Sequence, residues 1–144
     1  IIRAFEMMHD AGISTALNII IGYPDETREL VFDTIELSRK IKSDGINAYI
    51  FSPYKGTQLR NLCEQKGYVD SKTLAHIYTK DSILTMPTLS VEEIRGLSNS
   101  FVFYARLPKT LWADIGIAEK DTEEGQAKHR ELLRLYQSEY LPKP

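Results

Sequence analysis

The stretch Ala16-Leu17-Asn18-Ile19-Ile20-Ile21-Gly22-Tyr23-Pro24-Asp25-Glu26-Thr27 constrains this chain more than any other. It reads as a buried strand that stops at a glycine, turns through Tyr-Pro and enters a helix through two acids. The plan recurs once, as Ile46-Asn47-Ala48-Tyr49-Ile50-Phe51, then Ser52-Pro53-Tyr54-Lys55-Gly56-Thr57, then another helix. Two strands that each feed a helix through a turn imply parallel strands, with both turns at one end of the sheet. In α/β architectures that end carries the ligand. The two turns are therefore expected to be half of an active site, the other half lying outside this sequence.

The flanking elements follow from periodicity and punctuation. Ile1 to Ala11 places apolar residues on one helical face, and Gly12 follows as a stop. A strand is expected over Ile13 to Ile21. Its Ile19-Ile20-Ile21 run lacks polar alternation, so both faces are expected to be covered. Asn18 is the polar exception and points to a site or a hydrogen-bonded network. Pro24 suits a turn and not a ladder. Asp25 and Glu26 stand where acids complement a helix dipole, and Asp25 and Thr27 are both N-cap candidates. The helix should run to about Lys42, with Leu30, Thr34, Leu37 and Ile41 as its inward stripe.

The second strand spans Ile46 to Phe51. Thr57 opens a third helix through Leu59, Leu62 and Cys63, ended by Gly67. A short helix is expected around Thr73 to Tyr78, and an extended or loop segment over Ser82 to Leu89. Ser90-Val91-Glu92-Glu93 is a capping box opening a helix with Ile94, Leu97, Phe101 and Tyr104. Lys109 to Lys120 reads as short and irregular, anchored by Leu111 and Trp112. A last helix, Glu123 to about Tyr140, places Leu132, Leu133, Tyr136 and Tyr140 on one side. Residues 1–68 thus carry the strand-turn-helix rhythm, and 69–144 form a helical extension packed on them as one structural unit.

Composition removes several classes. The net charge of −2 gives no electrostatic footprint for nucleic acid. No apolar run approaches the roughly 20 residues of a membrane span. No charged and apolar leader opens the chain, so a cytoplasmic location is expected. The single cysteine, Cys63, cannot build a disulfide framework, a zinc site or an iron–sulfur cluster within the chain. Beside Leu59 and Leu62 it reads as a buried structural residue. The chain opens on Ile1 in mid-pattern, so it is expected to be a piece of something longer.

Gly22 at the end of a buried strand lets a ligand or another backbone approach closely. A phosphate site would favour free amides and a lysine at the helix start. Asp25 and Glu26 occupy that place and suit hydroxyl, amine or cationic groups instead. The plain alternative is a tight turn with a negatively capped helix. At the second turn Phe51 and Tyr54 can stack on a planar ring, while Ser52 and Thr57 can hydrogen-bond a sugar or substrate. The alternative there is that Thr57 caps the helix and Tyr54 packs on the rim. His9, His76 and His129 lie on separate expected helices with no metal-ligand spacing and read as surface or packing residues.

Ala11-Gly12-Ile13, Ile20-Ile21-Gly22-Tyr23-Pro24-Asp25-Glu26-Thr27 and Phe51-Ser52-Pro53-Tyr54-Lys55-Gly56-Thr57-Gln58-Leu59 resemble the second half of a radical S-adenosylmethionine enzyme core. They are most similar to the branch of cobalamin-binding radical enzymes and methylthiotransferases, over about residues 1–68. The resemblance implies an α/β fold: a fragment of a partial (β/α) TIM-like barrel with parallel strands and a C-terminal helical extension. It implies that Ile20 and Gly22 lie against the adenosine of the cofactor, that Glu26 fills the family's acidic position, and that Phe51 and Ser52 border adenine or substrate. Asp25 stands where the family has glycine, so the turn is expected to differ locally.

The family's three-cysteine cluster loop and its methionine-amine motif have no counterpart here. The resemblance therefore implies a parent enzyme that reductively cleaves S-adenosylmethionine at a four-iron four-sulfur cluster and uses the 5′-deoxyadenosyl radical on a substrate. Cobalamin is a further cofactor it allows in the parent. The chain alone is expected to be inactive, with the remainder of the parent protein as its partner. The main alternative is a non-catalytic binding or assembly module that pairs its exposed strand edges with another chain, a homodimer included. A fragment of another (β/α)₈ barrel would call for a phosphate or metal ligand at the turns.

Overall fold

A computed structural model describes residues 1–75 and 80–140. Helix α1 (Ile2–Asp10) precedes strand β1 (Ala16–Ile21), helix α2 (Arg28–Lys40) and strand β2 (Gly45–Ile50). Helices α3 (Gln58–Gln65), α4 (Val91–Arg106), α5 (Trp112–Ala118) and α6 (Glu123–Tyr140) follow, with a 3₁₀ turn at Lys109–Leu111 leading into α5. The fold is mixed α/β, a two-stranded parallel sheet with six α-helices among the described residues. The register runs from Ala16 opposite Gly45 to Ile21 opposite Ile50.

Local signals set most of the element ends. Gly12 has φ 70° at the end of α1, where the Ile13 N–H donates to the Met8 carbonyl at 2.9 Å. Gly67 does the same after α3 with φ 72°, the Tyr68 N–H reaching the Cys63 carbonyl at 2.9 Å. Thr27 is the N-cap of α2 and Thr57 that of α3, each accepting a backbone N–H three residues on. Ser90 and Glu93 form the complete capping box of α4.

One hydrophobic cluster joins the strands to the helical half. It contains Ile21, Val31, Ile35 and Cys63 together with Leu84, Ile94, Leu97, Phe101, Tyr104, Ile115 and Leu132. Cys63 is fully buried, and burial raises its thiol pKa. Helix α4 lies over the sheet, its Ser98 hydroxyl donating to the Ala48 carbonyl at 3.1 Å. At the far side of α4 the backbones come close. A Cβ on Gly96 would meet the Glu119 carbonyl oxygen at 2.6 Å.

Five expectations need correction. In β1, Leu17 and Ile21 are buried, whereas Ala16, Asn18 and Ile20 are exposed. The described helices cover one face only, and an isoleucine run does not tell a singly from a doubly covered strand. In α2 the inward stripe is Val31, Ile35 and Ser38, and of the expected stripe Ile41, just past the helix end, is buried. Leu30 and Leu37 are exposed, because Arg28 and Phe32 take the tertiary contacts that set the helix rotation: Arg28 pairs with Glu119, and Phe32 packs edge-on against Tyr104 and Trp112. Lys109 to Lys120 is largely helical. In α6, Gly125 and Leu132 are buried while Leu133 and Tyr140 are exposed. Of the short helix expected around Thr73 to Tyr78, Thr73 to Ala75 is not helical, and its remainder lies outside the described residues.

The close approach at Gly96 gives a direct check. Gly96→Ala forces α4 away from Glu119, and overpacking of this kind costs about 1–3 kcal/mol. A lowered urea midpoint at unchanged denaturant slope is the expected outcome.

Candidate functional site

Parallel pairing brings the two strand-end turns together. Ile21 leads into Gly22, and the Phe51 N–H donates to the Ile21 carbonyl at 2.8 Å, carrying the ladder one step beyond β2. The rings of Tyr23 and Phe51 then pack with centroids 4.6 Å apart and planes tilted by 30°. Gly22, Glu26, Phe51 and Ser52 thus belong to one sheet end, with Ile20 on the open face just before it.

Position 22 needs glycine for reasons internal to the fold. Its φ is 84°, and a Cβ there would meet Ile94 Cγ2 of α4 at 3.2 Å. Glu26 closes the turn on itself. Its Oε2 accepts the Gly22 N–H, and the Tyr23 N–H at 3.3 Å. Burial raises the Glu26 carboxyl pKa, and these two donors oppose the rise. The acid therefore holds the turn's own amides, the way a carboxylate serves a helix start.

Asp25 adopts φ 64°, the left-handed region that favours glycine. The turn thus has a glycine-like conformation at the position where an aspartate stands. Its Oδ1 accepts the Tyr68 hydroxyl at 2.6 Å, and its Oδ2 pairs with the Lys66 ammonium. Lys66 and then Tyr68, hydrogen-bonded to it, hold its carboxyl pKa below the usual value.

The second turn is fixed from beneath by Arg60, which is 1% exposed. Its Nη1 donates to the Pro53 carbonyl at 3.4 Å, and its Nη2 to the carbonyls of Asp70 and Thr73 at 2.8 and 2.9 Å. Its Nε pairs with Glu64 at 2.6 Å. Ser52 Oγ is covered and has no hydrogen-bond partner among the described residues. A buried hydroxyl left so costs about 1–3 kcal/mol. Thr57, by contrast, caps α3, and Tyr54 is exposed on the rim.

The open sheet face continues from the turns. Asn18 and Asn47, opposite one another, hydrogen-bond through Nδ2 of Asn47 and Oδ1 of Asn18 at 3.1 Å. Next along are Ile20, 47% exposed, and its partner Tyr49, 44% exposed. Together with the Tyr23–Phe51 pair they make an apolar wall with one polar rung, suited to a flat ring and not to a phosphate. Tyr49, Arg60, Lys66 and Tyr68 were not singled out from the sequence. Only Tyr49 carried a signal, its place two residues from Asn47 on the same strand face.

Two adjoining clefts of about 500 and 560 Å³ lie elsewhere, against α4, α5 and the start of α6. They share Arg95, Glu119, Lys120 and Asp121. Glu119 binds Arg28 at 2.7 and 2.8 Å and the Tyr104 hydroxyl at 2.5 Å, while Arg95 pairs with Asp81 and Asp121. Burial, then the bond to Glu119, raises the Tyr104 pKa. Paired charges of this kind tie α2, α4 and α5 together. No group of three or more histidine, cysteine or acidic side chains that could hold a metal occurs among the described residues. No described helix is long and apolar enough to cross a membrane.

Comparison with known proteins relates part of the chain to nucleic-acid-modifying and methyl-transferring proteins. It is 30% identical over 105 residues to an uncharacterized methyltransferase of Pyrococcus horikoshii, covering 72% of this chain and 23% of that protein. It is 44% identical over 52 residues to the tRNA-2-methylthio-N(6)-dimethylallyladenosine synthase of Thermosipho melanesiensis, covering 36% of this chain and 12% of the synthase. The synthase of the same name from Bacillus subtilis is 38% identical over 52 residues, 36% of this chain and 10% of the synthase. The matched stretches thus span under a quarter of each of these relatives. No family model and no solved structure matches.

The Glu26 linkage has a definite sign. A folded pKa above the unfolded one means that folding favours the protonated acid, so the associated stability is complete below the unfolded pKa and is lost as pH rises through the folded value. Glu26→Gln carries no such dependence. The stability of the native chain relative to this variant should therefore increase as pH falls from neutral towards 4, read by thermal unfolding at each pH.

Proposed function

We propose that the chain is part of a radical S-adenosylmethionine enzyme and supplies one wall of its adenosine and substrate site. The observation that carries this reading is the side-by-side placement of the two strand-end turns, Gly22–Glu26 and Phe51–Thr57, beside an open apolar sheet face. The partial similarity to the methylthio-forming synthases supports it.

The residues present fit the adenosine portion of the cofactor on one side. Ile20 offers exposed apolar surface and Phe51 an aromatic ring beside the turn that Gly22 opens, while Ser52 Oγ lacks a partner among the described residues. A purine contacts such a wall by stacking and apolar burial, and a ribose or amino group satisfies a hydroxyl. Glu26 contributes by keeping the Gly22 and Tyr23 amides in place. The residues do not fit a four-iron four-sulfur cluster, because the one cysteine is buried with a raised pKa. Cluster ligands therefore belong to the remainder of a longer protein, which is the proposed partner of this chain. When bound and reduced there, S-adenosylmethionine supplies a carbon-centred radical. The present residues bind, orient and exclude water.

The TIM-like barrel follows from the same reading. Ala16, Asn18 and Ile20, with Asn47 and Tyr49, form the face that a barrel would turn inward. The open face and the two strand edges also favour a second reading, in which the chain is a non-catalytic module that docks on another chain or on a second copy.

The first reading is tested on the protein encoded by the full reading frame that contains this chain, purified without oxygen. Bound iron and sulfide, with release of 5′-deoxyadenosine and methionine on reduction, are the expected results. A full-length frame without a three-cysteine loop, and without cofactor cleavage, would overturn it. Sedimentation of the present chain tests the second reading: a concentration-dependent dimer abolished by Ile20→Lys supports it, and a monomer at all concentrations contradicts the homodimer.

A further inference from the structure

Asp25 is the one non-glycine residue at positive φ among the described residues. That conformation presses Cβ against the following carbonyl, and glycine would adopt it freely. An aspartate there supplies what glycine lacks, a carboxylate that reaches outward. It accepts the Tyr68 hydroxyl at 2.6 Å and pairs with Lys66, residues more than 40 positions further along the chain.

Both partners lie just beyond α3, which is anchored at its other end as well. Arg60 in its first turn holds the Pro53 carbonyl of the second strand-end turn, and fastens the Asp70 and Thr73 carbonyls behind it. The helix and the residues after it therefore grip the second turn through Arg60 and the first through Lys66 and Tyr68. Between the two grips the turns meet at the Tyr23–Phe51 ring pair. The adjacent acid, Glu26, is turned the other way, onto the Gly22 and Tyr23 amides.

We infer that α3 is a brace between the two strand-end turns and that Asp25 is the positioning residue by which it holds the first turn. The clamp sets the gap between the turns and so the shape of the wall formed by Ile20, Gly22, Phe51 and Ser52. Its consequence for ligand binding rests on the function proposed above. The brace itself is a matter of geometry.

The test uses Asp25→Gly, Tyr68→Phe and the double variant in the 144-residue chain. Asp25→Gly relieves the backbone and removes the clamp, which separates strain from positioning. Two quantities are read: the thermal midpoint, and the Tyr23–Phe51 inter-ring nuclear Overhauser effects together with Gly22 and Tyr23 amide exchange. The midpoint of Asp25→Gly should hold or rise while the ring contacts weaken and exchange at the two amides quickens roughly tenfold. Tyr68→Phe should shift the same signals in part, and the double variant should be no worse than Asp25→Gly alone.

Unchanged ring contacts and exchange in Asp25→Gly would overturn the brace. Should that variant not fold, unchanged contacts in Tyr68→Phe and Lys66→Met would overturn it equally. Loosened turns in a chain whose Ile20 and Ser52 signals ignore S-adenosylmethionine would sustain the brace and count against the ligand reading.

Discussion

The docking of α4 across one face of the sheet is the contact on which the rest depends. Two parallel strands cannot stand alone in water; they need a covered face. Ile94 and Leu97 provide it, both fully buried in the cluster that includes Ile21, Val31 and Ile35. Ile94 also fills the space at Gly22, so the helix that covers the sheet seats the first turn as well. The rotation of α4 is fixed in turn on its other side. Gly96 admits Glu119 at close range, and Glu119 collects Arg28 and Tyr104. A buried carboxylate with a bidentate arginine and a phenol is costly to disrupt, because removing one partner leaves the others unpaired.

With one face committed to α4, the opposite face and the strand ends remain open. The polar groups are distributed accordingly. Those beneath the turns are paired: Glu26 with two amides, Arg60 with three carbonyls and one acid. On the open side Asn18 and Asn47 pair with each other, and the covered Ser52 Oγ at the second turn has no partner among the described residues. A surface of this composition, with Ile20 and Tyr49 half exposed, is shaped to be covered by something. A ligand, the remainder of a longer protein and another chain would each meet that need.

Local chemistry was legible in the sequence and tertiary choice was not. The caps at Thr27, Thr57 and Ser90 and the stops at Gly12 and Gly67 are written in adjacent residues, and each appears where its signal stands. The strand pairing follows from the repeated strand-turn-helix plan. The rotation of α2 does not, since Leu30 and Leu37 are as apolar as Val31 and Ile35, and Arg28, Phe32 and Arg39 decide between the faces through partners far along the chain. The open face of β1 was hidden for the same reason. At the candidate site, the turn glycine and the two acids were visible, but their tasks were not. Glu26 reads as ligand-directed until its oxygen is found on the Gly22 amide, a contact only four residues back that an acid-after-glycine turn signals. Asp25 depends on Lys66 and Tyr68, and no local pattern announces such a pairing.

Whether the two turns form a ligand wall is tested most directly by titrating the isotopically labelled chain with S-adenosylmethionine and following its amide resonances. Shifts concentrated at Ile20, Gly22, Tyr23, Phe51 and Ser52, with Arg95, Lys120 and Asp121 unmoved, are expected. Shifts centred on the Arg95–Glu119 clefts, or none at millimolar cofactor, would contradict it.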